Sequence, residues 1–197
     1  MKTSKLLLYS VLAGSLIFTS CKKDEEETIN ESQVLVEYME SANSPLGKDY
    51  VSSDLPAIIA ASEVKTLNET GQVYIMDIRS AADFATGHIM NAHNVAFADI
   101  LTHIEGVNLT SYTKVAIVCY TGQTAGYAAG LLRLMGYDKV YSMKWGMSSW
   151  NSAFNRWTSN LSNTYASQFT STSTAKGAAG SLPVLSTGKK TGQEILE

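Results

Sequence analysis

Val115-Ala116-Ile117-Val118 is a run of four apolar, mostly β-branched residues, the pattern of a strand buried on both faces. The run stops at Cys119-Tyr120-Thr121-Gly122. Over residues 123–135 the apolar period becomes that of a helix, with Ala128, Leu131, Leu132 and Met135 on one stripe and Gly136 in the position of a C-terminal cap. A buried strand that turns this tightly into a helix belongs to an α/β fold and sets Cys119 on a short loop at a helix N-terminus. Unpaired N–H groups and the helix dipole favour negative charge there, so a thiolate is favoured over a thiol and the cysteine becomes a candidate nucleophile. The competing expectation is a buried, inert thiol, the usual state of a free cysteine. The glycine that follows and the strand-to-helix setting weigh against it.

The rest of the chain alternates in the same way. Residues 57–60 read as a short strand, with Ser62 placed to cap the helix that follows and Gly71 to end it. Residues 73–76 form a second apolar strand ending at Asp77. Ser80 and Asp83 make a capping pair for a short helix, residues 92–95 are a third strand, 97–104 a helix and 106–113 a polar loop. Residues 140–142 are the last strand, and 145–151 a closing turn and helix. Alternation throughout implies one parallel sheet covered by helices on both faces. Gly122, Gly126 and Gly130 recur four apart, each interior glycine costing ~1 kcal/mol relative to alanine, and predict a glycine edge packed closely on the sheet.

Three stretches together resemble the rhodanese family of sulfurtransferases, over roughly residues 55 to 155. Cys119-Tyr120-Thr121-Gly122-Gln123-Thr124 is similar to that family's Cys-x-x-Gly-x-Thr active loop. Asp77-Ile78-Arg79, Asp83-Phe84 and Gly87-His88-Ile89 resemble its Asp-x-Arg, acidic-aromatic, Gly-His-Ile block, and Gly146 with Trp150 its closing Gly-x-x-x-Trp. The resemblance implies a rhodanese-like parallel sheet and a catalytic Cys119 that takes a sulfane sulfur from a small donor, forms a persulfide and passes it to a thiophilic acceptor, with no cofactor. It makes the loop N–H groups of Tyr120, Thr121, Gly122, Gln123 and Thr124 the cradle for the substrate, with the Thr124 hydroxyl on the outer sulfur. It adds Arg79 as a substrate-binding cation, while Asp77 and Trp145 support the site. Asp77 with Arg79 reads more readily as an ion pair bracing the loop than as catalytic machinery.

Two alternatives are set beside this one. Phosphatases and arsenate reductases of the same fold carry a loop one residue longer that ends in arginine, but the sixth residue after Cys119 is Ala125. A non-catalytic rhodanese-like module that binds or senses at the cell envelope is the stronger rival, since fold alone does not fix function. Within the sulfurtransferase reading, the loop's uncharged Tyr120, Thr121 and Gln123 leave only Arg79 and Lys144 as nearby cations. A polysulfide or low-molecular-weight persulfide is therefore as good a donor as thiosulfate. His88 and His93 are wrongly spaced for a metal site and read as hydrogen-bonded scaffold.

The ends of the chain carry separate signals. Lys2 and Lys5, an apolar stretch over residues 6–18 and Ser20-Cys21 form an export signal. Small residues directly before Cys21 resemble a lipoprotein cleavage site, which implies lipidation of Cys21 and anchoring at the cell envelope, on the outer membrane at its periplasmic face or on the cell surface. Residues 1–20 are thus the signal peptide and 21–54 a tether, beginning Lys22-Lys23-Asp24-Glu25-Glu26-Glu27 and followed by an amphipathic helix over 32–41 expected to pack on the domain. Residues 55–155 are the single domain, and 156–197 a flexible Ser/Thr/Gly-rich tail. The tail closes on Thr191-Gly192-Gln193-Glu194, a helix-start pattern that reads either as the beginning of a truncated further domain or as a chance match. The formal charge of −3 becomes −5 once Lys2 and Lys5 are removed, leaving 13 basic against 18 acidic residues, so nucleic acid is not an expected partner.

Overall fold

The structure, a computed structural model, describes residues 29–197; the export signal, Cys21 and the charged run lie outside the described residues. Five parallel strands, β1 (Ile58–Ile59), β2 (Val73–Asp77), β3 (His93–Asn94), β4 (Lys114–Val118) and β5 (Val140–Met143), pair in the order β1-β5-β4-β2-β3. Among the described residues, seven α-helices accompany them: α1 (Glu31–Met39), α2 (Ala61–Glu69), α3 (Ala81–Thr86), α4 (Ile100–Glu105), α5 (Gln123–Leu134), α6 (Met147–Trp150) and α7 (Gly192–Leu196).

The apolar runs of β2 and β4 hide a period of two. Tyr74, Met76, Val115, Ile117 and Cys119 face one core with residues of α4 and α5. Val73, Ile75, Ala116 and Val118 face a second core with Val64 of α2 and Met147 of α6. Strands covered on both faces need apolar residues at every position, which is why they read as continuous runs. Register then decides the side on which the loop cysteine emerges, and it is the α5 side.

From β2 the chain passes to β3 on one side, and from β4 to β5 on the other. The sheet's switch point therefore lies between β2 and β4, where open α/β sheets form their ligand crevices. Asp77 pairs with Val118 across it, so the ends of both strands open on the same place.

Three local expectations are corrected. The N-cap of α2 is Ala60, without a side-chain hydrogen bond, and not Ser62. The buried face of α5 is Ala125, Ala128, Ala129, Leu132 and Arg133, whereas Leu131 and Met135 are 42 % and 54 % exposed. Arg133 is buried because its guanidinium donates to the carbonyls of Asp138, Val140 and Leu55. Of Gly122, Gly126 and Gly130 only Gly122 is crowded. An added Cβ would meet Ser142 Oγ at 4.0 Å at Gly126 and nothing within 4 Å at Gly130, so no continuous glycine edge exists.

The last residues are not a loose end. Thr191 and Glu194 form a reciprocal capping box that starts α7, and α7 packs on α1 so closely that a Cβ on Gly192 would overlap the Tyr38 side chain. The Glu31 carboxylate accepts from the Thr187 and Gly188 amides and the Thr187 hydroxyl, and these bonds hold its pKa below the usual value. The amphipathic helix thus finds its partner in the tail. Between residues 161 and 190 the only regular structure is the single 3-10 turn Ala166–Gln168.

Candidate active site

Cys119 is a free thiol, 7 % exposed. Its Sγ accepts hydrogen bonds from the backbone N–H of Gly122 at 3.1 Å and of Ala125 at 3.4 Å. Gly122 is the N-cap of α5 with φ +87, a left-handed conformation that suits glycine. Having no side chain, it leaves the first-turn amides without their usual oxygen acceptor. The cysteine sulfur takes the amide of the third helical residue instead. Amides aimed at one atom at the positive end of a helix stabilise negative charge on it. Tyr120 and Thr121 donate their N–H groups to no group among the described residues.

The loop is braced by the segment after β5. Met147 N–H donates to the Cys119 carbonyl at 2.8 Å, and Ser148 donates to the Tyr120 carbonyl from its N–H at 3.0 Å and its hydroxyl at 2.8 Å. Gly146, with φ +52, passes so close that a Cβ would lie 2.2 Å from the Cys119 carbonyl oxygen. Gly122 abuts the same segment, its would-be Cβ 3.1 Å from the Trp145 nitrogen and 3.2 Å from the Met143 oxygen. Trp145 itself adopts φ +62, a strained value for a non-glycine residue, and its half-exposed ring meets Trp157 edge-on at 4.8 Å.

Of the other expected residues, Thr121 and Gln123 stand at the rim with their side chains 3.3 Å apart, and Thr124 is exposed in the first turn of α5. Tyr120 turns its side chain away from the sulfur and donates its hydroxyl to Asp83 at 2.7 Å. This bond and the Ser80 hydroxyl hold the Asp83 carboxyl below the usual range.

Arg79 is held inside the domain. It is buried against Asp77, with Nε at 2.9 Å and Nη2 at 2.6 Å from the carboxylate, and Nη2 also donates to the Gly87 carbonyl. Its Cζ lies 5.0 Å from the centre of the Tyr120 ring. The ion pair expected of Asp77 and Arg79 is formed, and Arg79 Nη1 is buried with no hydrogen-bond partner among the described residues. His88 bonds the Phe84 carbonyl and stacks on the Phe84 ring, and His93 stacks on Tyr74.

Sequence reasoning missed Ala125, Ser148, Arg156 and Trp157. Counting helix positions from Gly122 finds the Ala125 amide. Arg156, 3.5 Å from the centre of the Tyr120 ring and 3.7 Å from Asp83, follows the last periodic element and left no pattern. Trp157 likewise follows it, and it lines a cleft of about 260 Å³ beside the loop with Ile58, Thr121, Gly122, Gln123, Ser142, Met143, Lys144 and Trp145.

Fold and site together define a doubly wound α/β domain whose cysteine is held at a helix N-terminus by backbone amides. The model of the rhodanese-like domain matches residues 60–153. The chain is 31% identical over 102 residues to thiosulfate sulfurtransferase GlpE of Pseudomonas aeruginosa, covering 52% of this chain and 90% of that protein. It is 36% identical over 80 residues to the GlpE of Pseudomonas putida, covering 41% and 71%. Among solved structures, a human single-domain sulfurtransferase matches at 18% identity and a TM-score of 0.42, over 48% of this chain and 94% of that one. The chain belongs to the rhodanese-like domain family.

Proposed function

We propose that the protein is a rhodanese-type sulfurtransferase, and the observation that carries this is the pair of amides, Gly122 and Ala125, converging on the Cys119 sulfur. The Cys119 thiolate attacks the sulfane sulfur of a donor. With thiosulfate, the S–S bond of the donor breaks, a Cys119 persulfide forms and sulfite leaves. With an organic persulfide the leaving group is a thiolate. A thiophilic acceptor then takes the outer sulfur and returns Cys119 to its starting state. The free amides of Tyr120 and Thr121 face the charge that develops, and the amides of Gln123 and Thr124 complete the cradle. The relatives named thiosulfate sulfurtransferase support thiosulfate as one donor. The sequestered Arg79 and the uncharged loop favour polysulfide or a small persulfide as the other.

The test is the intact mass of the purified protein after incubation with thiosulfate or polysulfide. A gain of one sulfur that cyanide removes and that Cys119→Ser abolishes is the expected result; no adduct, with slow alkylation of Cys119 at neutral pH, would make the domain a binding or sensing module. The proposal includes a lipid anchor on Cys21 that holds the domain at the outer membrane. Metabolic labelling with an alkyne-bearing fatty acid should mark the protein and fail to mark Cys21→Ser.

A further inference from the structure

The cleft beside the loop has a composition that the transfer chemistry does not require. Its lining includes the exposed Ile58 and the edge-on indoles of Trp145 and Trp157. One cation stands in it: the Lys144 ammonium, 5.9 Å from the Trp145 ring centre and, among the described residues, in no ion pair. No acidic residue lines it. The Trp157 indole N–H is shielded from solvent and has no acceptor. Thr121, Gly122 and Gln123, which follow Cys119 in the loop, line it, so a guest seated there lies beside the loop. Trp157 lies beyond residue 153, where the match to the family ends, and the subsite is thus finished by a residue outside that match.

We propose that this cleft holds the organic half of the sulfur acceptor: a small thiol with a flat apolar body and a carboxylate. Apolar walls select the body, and the two indoles offer ring faces for it. The lone ammonium and the unpartnered indole N–H both call for an acceptor-bearing anion, and the volume of about 260 Å³ limits the guest to a small molecule. In the step served, the thiolate of the guest attacks the outer sulfur of the Cys119 persulfide. A new S–S bond forms on the guest, the Cys119 S–S bond breaks, and its electron pair returns to Sγ beneath the Gly122 and Ala125 amides. By microscopic reversibility the same cleft seats the corresponding organic persulfide when it acts as donor.

This inference rests on the sulfur-transfer reading, and its test separates the two. Cys119 is loaded with polysulfide, and single-turnover discharge is followed with para-mercaptobenzoate, thiophenol and β-mercaptoethanol. Intrinsic thiol reactivity cancels when ratios are compared between proteins. Trp157→Ala should lower the preference for para-mercaptobenzoate over β-mercaptoethanol by about tenfold or more. Lys144→Gln should lower the preference for para-mercaptobenzoate over thiophenol by about two- to fivefold. Trp157→Phe, which keeps a ring and loses the N–H, should fall between wild type and Trp157→Ala. Unchanged ratios, or an equal fall for all three thiols, would overturn the subsite. A second arm titrates the non-transferring para-(methylthio)benzoate into Cys119→Ser by calorimetry. Absence of Trp157-dependent binding overturns the subsite even where transfer proceeds, whereas binding without any loading of Cys119 overturns the transfer reading and upholds the cleft as a ligand site.

Discussion

Replacing Gly146 by alanine tests whether the Cys119 loop is held by the segment behind it. The new Cβ would lie 2.2 Å from the Cys119 carbonyl oxygen and 2.8 Å from the Tyr120 carbonyl carbon, about 1 Å inside ordinary contact. These are backbone atoms and cannot rotate away. The residue also has φ +52 and ψ −147, close to a region occupied almost solely by glycine, which alone costs about 1–3 kcal/mol. Relief of the overlap lengthens the bonds from Met147 to Cys119 and from Ser148 to Tyr120, each contributing about 1 kcal/mol. The sum is a destabilisation of about 3–5 kcal/mol, or, if the chain yields by moving the loop, a displacement of about 1 Å at the sulfur and a loss of about a hundredfold in transfer rate. Denaturant unfolding gives the first quantity, and the rate of persulfide formation with alkylation of Cys119 the second. If Gly146→Ala unfolded within 0.5 kcal/mol of wild type and loaded sulfur at the wild-type rate, the brace would not exist.

Gly130→Ala is the converse. Nothing lies within 4 Å of the added carbon and the residue sits inside α5, so the variant should gain up to about 1 kcal/mol in denaturant unfolding with transfer unchanged. Arg79→Leu leaves the buried Asp77 carboxylate without its partner and should cost about 3–5 kcal/mol by the same measurement. A loss below 1 kcal/mol would show that the pair is not what holds that end of β2. His103 bonds the Tyr74 hydroxyl at 2.8 Å, and burial, helped by nearby His93, lowers its pKa from 6.5. The unfolded chain therefore binds a proton before the folded one does, and this contribution to stability is complete above the unfolded value and is lost as pH falls through the folded value. The melting temperature of the wild type should drop between neutral pH and about pH 5 more than that of His103→Gln, and equal drops would assign the pH dependence elsewhere.

What the sequence revealed and what it hid follow from the range of the interactions involved. Val73 to Met76 and Val115 to Val118 announce themselves because a strand buried on both faces must be apolar at every position. The Cys119 loop was legible because a strand, a glycine and a helical period occur in sequence. The Thr191–Glu194 capping box was likewise local, but the docking of α7 on α1 depends on residues more than 150 positions apart, such as Glu31 and Thr187. The helix stripe was misread for a different reason. Leu131 and Met135 are as hydrophobic as the residues of a core, and only Arg133, whose guanidinium finds three carbonyls, shows which way the helix is rotated. Arg156 and Trp157 reach the site from a stretch with no period, where no pattern could single them out.

The fate of Arg79 bears most directly on chemistry. A guanidinium near a thiolate loop invites the role of anion clamp, and a free cation about 4 Å from a bound anion is worth about 4 kcal/mol at an effective dielectric of 20. Here the charge is cancelled by Asp77 in a pair with almost no solvent exposure, and Arg156 in turn is set against Asp83 and the Tyr120 ring. Both arginines thereby hold the loop's shape. Among the described residues near the loop Lys144 is the cation without an ion pair. The site thus keeps its two arginines in contacts within the protein and leaves indoles and one ammonium beside the loop. The same arrangement gives Tyr120, next to Cys119, a structural place: its ring is the surface on which both guanidiniums rest, and its hydroxyl joins the Asp83 end of that network.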